Sequence, residues 1–383
     1  MHEEEKQEQQ TLIARAAALL REGHLVAFPT ETVYGLGADA SNANALARIF
    51  AAKGRPADHP LIVHLPGAAH LEHWAREIPD LAWSLAETFW PGPLTLILRK
   101  QPTVPDLITG GQDTVGLRVP GHPLALALLR AFAATHENCN GRCGIAAPSA
   151  NRFGRISPTS ADAVREELGL LKEGEEREAP AMILDGGFCP VGIESTILDL
   201  SGQRPRILRP GHITAEEIEA VCGILPEGAP QTDAGSGIPG LAIPRVSGAL
   251  AAHYAPETPL RLIPADALER YFEIEQRAGR RCAVLHHGPR PERIALEARP
   301  FYLLPADAAS YAHHLYAALR KLDRAAADSI LVTMPPAGPE WAAVTDRLRR
   351  AACGSGSARE ILVETAAPIE WKDPPLFPGG RQK

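Results

Sequence analysis

Lys53-Gly54-Arg55-Pro56-Ala57-Asp58-His59-Pro60-Leu61-Ile62-Val63-His64 joins a helical pattern to a strand pattern. Asn44 to Ala52 has helical composition, and Gly54 is placed to end that helix. Beyond Pro60, Leu61-Ile62-Val63 reads as a short buried strand that fixes His64 at its exit. Between them, Lys53 and Arg55 are held by Gly54 and Pro56 in a stiff loop suited to grasping an anion. The plainer alternative is a helix-to-strand connection with solvated charges, since cations just past a helix C-terminus also suit the helix dipole. The neighbouring segments decide between the two.

Upstream, Thr11 to Glu22 is Ala/Leu-rich with helical spacing, and Gly23 is a plausible stop. Leu25-Val26-Ala27-Phe28 reads as a strand running into Pro29-Thr30-Glu31-Thr32-Val33-Tyr34-Gly35-Leu36-Gly37. Hydroxyls, a carboxylate and glycines at a strand end form a polar rim with close backbone approach, where α/β sheets bind ligands; a Thr-rich turn is the alternative. Downstream, Ile78 to Phe89 is a helix and Leu94 to Leu98 a strand. Thr114-Val115-Gly116-Leu117-Arg118 alternates, so Thr114, Gly116 and Arg118 share a face. A cation projecting there among apolar neighbours needs an anionic partner, from the protein or a ligand.

His122 to Ala134 is helical. Ile145-Ala146-Ala147-Pro148-Ser149-Ala150-Asn151 opens into a Ser/Asn/Gly/Arg loop whose hydroxyls, amide and N–H groups suit phosphate or sugar. Ser157 or Thr159 in that loop also suits capping of a helix over Ala161 to Leu168. Ala181 to Leu184 is a strand, Ile193-Glu194-Ser195-Thr196 repeats the theme of Glu and hydroxyls, and Arg206 to Arg209 is a strand ending in a cation. One such loop is weak support for a site. Several polar strand ends within about 200 residues point to a single pocket fed from several strands.

From Pro226 to Pro244 the chain is rich in Gly, Pro, Ala, Ser and Asp without apolar periodicity, an extended linker that runs on to His253-Tyr254. From Pro259 strands alternate with helices, the pattern of a small doubly wound domain without a Gly-rich dinucleotide fingerprint. The division is therefore residues 1–223, a linker over 224–256, a second domain over 257–365, and a Pro-rich flexible tail over 366–383.

The 383 residues accommodate two ordinary domains. A net charge of −7 argues against broad electrostatic attraction to nucleic acid or anionic membrane, although a local basic pocket is compatible with it. The acidic, polar N-terminal segment is unlike a secretory signal, and no apolar run approaches a bilayer span, so a cytoplasmic location is expected. Cys139 and Cys143, with His136, present three soft ligands, but no fourth follows at a familiar spacing. A loop insertion with two free thiols is expected, and no metal site.

Five segments in order, Pro29 to Gly37, Lys53 to Pro56, Pro60 to His64, Ala147 to Asn151 and Gly192 to Thr196, closely resemble the YrdC-like family. The chain length is similar to that of its two-domain threonylcarbamoyl-AMP synthases. The resemblance is strong over about residues 11–220, moderate in the linker, and architectural beyond it. It implies a twisted mixed α/β sheet with a concave pocket, linked to a smaller Rossmann-like α/β domain. The implied reaction joins L-threonine, bicarbonate and ATP into threonylcarbamoyl-AMP and pyrophosphate, with Mg²⁺ accompanying ATP. The product would pass to the tRNA threonylcarbamoyl-transfer machinery that modifies adenosine 37.

By this resemblance the threonine site involves Thr32, His64, Arg118, Ala147 and Ser195. The ATP site involves Arg55, His59, Thr114, Ser149, Asn151, Ser157 and Arg209, with Lys53 and Arg55 neutralising charge during catalysis and His253 and Tyr254 in a linker that acts as a lid. Position 59 often carries Asn in the family, where His59 offers a ring N–H. Ser247-Gly248 before His253-Tyr254 also departs from the commoner Pro-Gly-Met form. Two other classes are an RNA-binding module without catalysis, disfavoured by the net charge and the lack of an aromatic platform, and a carbamoyl-phosphate-dependent carbamoyltransferase, disfavoured by the lack of Cys-rich zinc-finger arrays.

Overall fold

The structure, a computed structural model, describes residues 2–135, 142–172, 175, 178–228 and 243–356, with side chains from Glu4. The expected tail over 366–383, part of the linker, and Cys139 lie outside the described residues.

Nine strands form the first sheet: β1 (Val26–Phe28), β2 (Gly35–Asp39), β3 (Ile62–His64), β4 (Leu94–Arg99), β5 (Thr114–Arg118), β6 (Ile145–Ala146), β7 (Met182–Ile183), β8 (Thr196–Asp199) and β9 (Arg206–Arg209). Their order is β7-β1-β2-β6-β3-β5-β4-β8-β9. The sheet is mixed: β3 runs parallel to β5 and β4 to β8, while β4 and β5 are antiparallel. Alternation within β1 sends Ala27 to one core and Val26 and Phe28 to the other.

The helices of this half are α1 (His2–Arg21), α2 (Ala43–Lys53), α3 (Leu71–Trp74), α4 (Asp80–Phe89), α5 (Asp106–Thr109), α6 (Pro123–Ala134), α7 (Ala161–Glu167) and α8 (Ala215–Cys222). Helices α1 and α6 pack Leu20, Leu128 and Phe132 against Val26, Phe28 and Ile145. Helix α2 starts at Asn42, whose side chain accepts from the N–H groups of Asn44 and Ala45. It ends at Gly54 in the left-handed region, φ 62°. That cap reverses the chain and starts the Lys53–His64 loop. Helix α7 is capped by Ser160, which accepts from the Ala163 N–H, rather than by Ser157 or Thr159 as the sequence suggests. The Ser157 hydroxyl is taken instead by Glu194.

The second domain comprises β10 (Leu260–Ile263), α9 (Leu268–Arg277), β11 (Cys282–His287), α10 (Glu292–Glu297), β12 (Phe301–Leu304), α11 (Ala308–Asp323), β13 (Ser329–Thr333) and α12 (Ala342–Gly354). Its sheet, ordered β10-β13-β11-β12, is wholly parallel, so each connection is a crossover helix, and helices cover both faces. Ile263, Leu268 and Phe272 pack in one layer, and Leu285, Leu315 and Leu348 in the other. The expected architecture, a large mixed sheet with a smaller parallel-sheet domain, is the one observed. The sequence reading does not anticipate the short helices α3, α5, α8 and α10.

One expectation fails. Cys143 is disulfide-bonded, so this part of the insertion does not carry two free thiols. The position of a cysteine in the sequence does not by itself distinguish a free thiol from a bridged one.

Candidate active site

The C-terminal ends of β1, β3, β5 and β9, the start of β8 and the segment after β6 meet around one cavity. Its space is about 460 Å³ including the open mouth, within the range of small-molecule sites. Thr30, Thr32, His64, Arg118, Ala147, Ser149, Glu194, Ser195 and Arg209 line it, and Ser247, His253 and Tyr254 of the linker close one side.

At one end stands Arg118, the last residue of β5, paired in register with His64 at the end of β3. Its Nη2 donates to Glu31 Oε1 at 2.6 Å, Nη1 to Thr32 Oγ1 at 3.0 Å and Nε to the Gly92 carbonyl at 3.2 Å. Glu31 also accepts from the Gly121 N–H at 2.8 Å. The guanidinium is thus fixed in direction, and two of its five N–H groups remain for a ligand carboxylate. The turn below is held by Thr30, whose hydroxyl donates to the Val33 carbonyl at 2.6 Å and accepts from the Thr32 and Val33 N–H groups. Burial first, and Arg118 second, lower the His64 pKa to about 3, so the imidazole is neutral. Its Nδ1 is buried without a hydrogen-bond partner among the described residues.

At the other end Arg209, the last residue of β9, grips the start of β8. Nε and Nη2 donate to the Ser195 carbonyl at 3.2 and 2.9 Å, and Nη2 also reaches Ser195 Oγ at 3.1 Å. Ser195 Oγ lies 2.8 Å from Thr95 Oγ1. Arg209 Nη1 donates to the Ser247 carbonyl at 2.9 Å. Arg55 approaches the same linker residue, 3.5 Å from Ser247 Oγ, while donating to the Pro60 carbonyl at 2.9 Å. Its guanidinium lies 5.6 Å from the Phe153 ring centroid. Desolvation dominates the lowering of the Arg55 pKa to about 10. Arg245 adds a second linker contact: its N–H donates to Gln112 Oε1, its carbonyl accepts from Gln112 Nε2, and its side chain donates to the Gly110 carbonyl.

Other residues named from the sequence take different places. Lys53 points its ammonium at the carbonyls of Ser149 and Asn151, the first at 2.6 Å, so it holds the segment after β6 rather than lining the cavity. Burial, then Arg55, hold its pKa well below the usual lysine range. Asn151 donates to the Arg152 and Arg155 carbonyls at 2.7 and 2.9 Å. Ser157 donates to Glu194 Oε1 at 2.5 Å. His59 sits edge-on to Phe153 with ring centroids 5.1 Å apart. Thr114 lines an adjoining hollow of about 280 Å³ with Ile62, Ile97, Gly116, Ile197 and Val246, and the two hollows share Ile62 and Ser247. Tyr254 occupies the left-handed region, φ 60°, with a buried hydroxyl that has no partner among the described residues.

The sequence reading missed Glu31, Thr95 and Glu194 as members of the site, although Glu31 and Glu194 sit inside the motifs it singled out. It had no signal for Arg347 or Tyr316, which reach Glu194 from the second domain at 2.8 and 2.9 Å.

The chain is a two-domain α/β protein whose first sheet carries a concave pocket between strand ends, lined by the guanidinium groups of Arg118 and Arg209, with Arg55 beside it across Ser247. The family described as telomere recombination, Sua5/YciO/YrdC, matches residues 18–211, and the threonylcarbamoyl-AMP synthase C-terminal domain matches residues 213–353. The threonylcarbamoyl-AMP synthase of Pyrococcus abyssi is 40% identical over 346 residues, 88% of this chain and 92% of that protein. That of Bacillus subtilis is 39% identical, over 89% of this chain and 93% of that protein. The crystal structure of P. abyssi Sua5 complexed with L-threonine matches with a TM-score of 0.76 at 40% identity, covering 90% of this chain and 95% of that one. The chain belongs to the Sua5/YciO/YrdC family, in the two-domain form of the threonylcarbamoyl-AMP synthases.

Proposed function

We propose that the chain is an L-threonylcarbamoyladenylate synthase that makes threonylcarbamoyl-AMP and pyrophosphate from L-threonine, bicarbonate and ATP. The observation that carries this reading is the polarity of the pocket: Arg118, with two N–H groups left over, stands at one end, and Arg55 and Arg209 stand at the other.

The threonine carboxylate pairs with Arg118, whose planar fork suits bidentate contact. Thr32, His64, the Ala147 backbone and Ser195 surround the rest of the amino acid. The neutral His64, with a free ring nitrogen, offers hydrogen bonding without a competing positive charge beside the amine. The neutral amine attacks CO2 or bicarbonate, and water leaves in the latter case. A carbamate oxygen then attacks the α-phosphorus of ATP, and the bond to the β-phosphate oxygen breaks to release pyrophosphate. The amine is the nucleophile, so no protein nucleophile is needed. The chain contributes positioning and charge neutralisation.

For ATP, the Arg55–Arg209 end receives the phosphates, with Ser149, Asn151, Ser157 and His59 nearby and the Thr114 hollow alongside. Lys53 acts in this reading through the Ser149–Asn151 segment that it holds. Mg²⁺ enters with the nucleotide. Among the described residues no three His, Cys, Asp or Glu side chains converge on one point, so phosphate oxygens and water would supply its ligands. The linker, with Ser247, His253 and Tyr254 against the pocket, serves as the lid that shields the labile carbamate from water. ATP entering the Arg55–Arg209 end replaces the contacts that Ser247 makes there.

We place the protein in the cytoplasm, supplying the tRNA threonylcarbamoyl-transfer machinery; among the described residues no helix is long and apolar enough to cross a membrane. The test is pyrophosphate release in the absence of RNA. Release that requires both threonine and bicarbonate is expected. Release that ignores threonine, or that requires carbamoyl phosphate, contradicts the proposal.

A further inference from the structure

One buried cation of the second domain reaches the pocket wall. Arg347, on α12, is fully buried. Its Nε donates to Glu194 Oε2 at 2.8 Å and its Nη2 to the Pro210 carbonyl at 3.0 Å. Its guanidinium carbon lies 5.1 Å from the Tyr254 ring centroid. Asp346 takes the remaining nitrogen at 2.6 Å.

These contacts fall next to the working residues. Glu194 precedes Ser195, and Pro210 follows Arg209. Ser195 and Arg209 are bonded to each other across the start of β8 and the end of β9. Tyr254 belongs to the linker side of the pocket. One side chain thus fixes the three segments that shape this end of the cavity. Tyr316 of α11 reinforces it, donating to Glu194 Oε2 at 2.9 Å and stacking on Tyr254 with centroids 5.9 Å apart.

We propose that Arg347 is a positioning residue for the reaction: from the second domain it holds Glu194, the Pro210 carbonyl and Tyr254, and so sets the geometry of Ser195 and Arg209 in the catalytic domain. This rests on the functional reading above and gives the second domain a part in it. The charges are matched accordingly. Glu194 faces Ser157 from the loop before α7, Arg209 from β9, His253 and Tyr254 from the linker, Tyr316 from α11 and Arg347 from α12, and Asp346 in turn pairs with Arg347. Burial pushes the Glu194 carboxyl up, and Arg347, then Arg209 and the Ser157 hydroxyl, outweigh it and hold the pKa at about 2. Removing Arg347 leaves burial opposed by less, so the carboxyl rises towards the range of the assay.

The full chain is assayed well below each variant's Tm. In Arg347→Met, kcat/KM falls on the order of 10²-fold, the scale of a small misplacement of reacting groups, and activity gains an acidic limb absent from the wild type. That limb disappears in the double variant Arg347→Met/Glu194→Gln, where no carboxyl titrates. Arg347→Lys, which keeps the charge but not the second contact, recovers part of kcat/KM and loses the limb. Tyr316→Phe, a milder change that removes the hydrogen bond to Glu194, lowers kcat/KM severalfold and carries the test where Arg347→Met does not fold. Wild-type kinetic constants and pH profile in Arg347→Met with only Tm lowered, or, where Arg347→Met does not fold, wild-type kinetic constants in Tyr316→Phe, would overturn the proposal. Failure of the wild type to make the adenylate would instead overturn the functional reading, so the two failures are distinguishable.

Discussion

At the ends of the nine-stranded sheet, Glu31, Lys53, Arg55, His64, Arg118, Glu194 and Arg209 are all buried. Around the four-stranded sheet the buried Asp, Glu, His, Lys and Arg side chains among the described residues are Glu275, His286 and Arg347, and Arg347 faces the other domain. Glu275 is closed off locally. Arg280 donates to it at 2.7 and 2.9 Å, Ser329 at 2.8 Å and Arg261 at 3.2 Å. The pocket is not closed in this way: His64 Nδ1 and Tyr254 Oη, both on its lining, have no hydrogen-bond partner among the described residues. Burying polar groups without partners is unfavourable. In the first domain and linker two of these groups lie on the pocket lining, where a ligand is expected, beside Trp74 Nε1 and Asn151 Oδ1 away from it, while the second sheet keeps its ends largely apolar or self-satisfied and acts as a scaffold. Among the described residues the exceptions in the second domain are Tyr311 Oη and Arg320 Nε, both on α11 and both buried without a partner.

Five substitutions test this contrast. The largest effect on stability is expected from Phe272→Ala, in the layer of the second domain that faces away from the pocket. It should lower stability by about 3–5 kcal/mol in chemical denaturation and leave kcat/KM of the folded protein unchanged. Next, Arg118→Met should reduce kcat/KM for threonine on the order of 10²–10³-fold, and Arg55→Ala should do the same for ATP, both read by pyrophosphate release. If either kept near-normal turnover, the division of the pocket into two ends would fail. Glu31→Gln should raise the threonine KM about tenfold, equivalent to ~1.4 kcal/mol, with kcat little changed, because Glu31 aims Arg118 without touching the reacting atoms. The smallest effect is that of Thr214→Ala, which removes the capping box of α8. It should lower stability by about 1 kcal/mol without altering any kinetic constant.

The same contrast predicts an acid-sensitive first domain. His64 and His253 are each lowered from 6.5 to about 3, mainly by burial. Their neutral forms fit the fold, so the unfolded chain binds more protons between these values. Their contribution to stability is present above pH 6.5 and is lost as pH falls towards 3. Glu194, lowered from 4.5 to about 2, adds a loss in that lower window. Denaturation midpoints should therefore fall from about pH 6 downwards, and His253→Gln should flatten the upper part of the curve.

Much of this was legible in the sequence, for a physical reason. A strand that ends in Thr, Ser, Glu or Arg beside Gly departs locally from the apolar pattern, and such departures at Thr32, His64, Arg118, Ser149, Ser195 and Arg209 converge on one cavity. The helix end marked by Gly54 was equally readable, because a cap is local. The rest depends on long-range pairing. Whether Ser157 caps a helix or bonds Glu194 is decided by a partner 37 residues away. The meeting of Arg347 with Glu194 spans 153 residues, and nothing around Arg347 in Asp346-Arg347-Leu348-Arg349 distinguishes it from a solvated helix face. Helix α10 follows Pro291 and runs only over Glu292–Glu297, too short for a periodic pattern.

The central claim is that one pocket brings threonine and ATP together through a carbamate. It is tested most directly by mass spectrometry of the products formed from ATP, L-threonine and ¹³C-labelled bicarbonate. The account predicts threonylcarbamoyl-AMP carrying the label, formed without RNA and abolished when threonine is omitted. An unlabelled product, or ATP consumed with no adenylate that contains threonine, would contradict it.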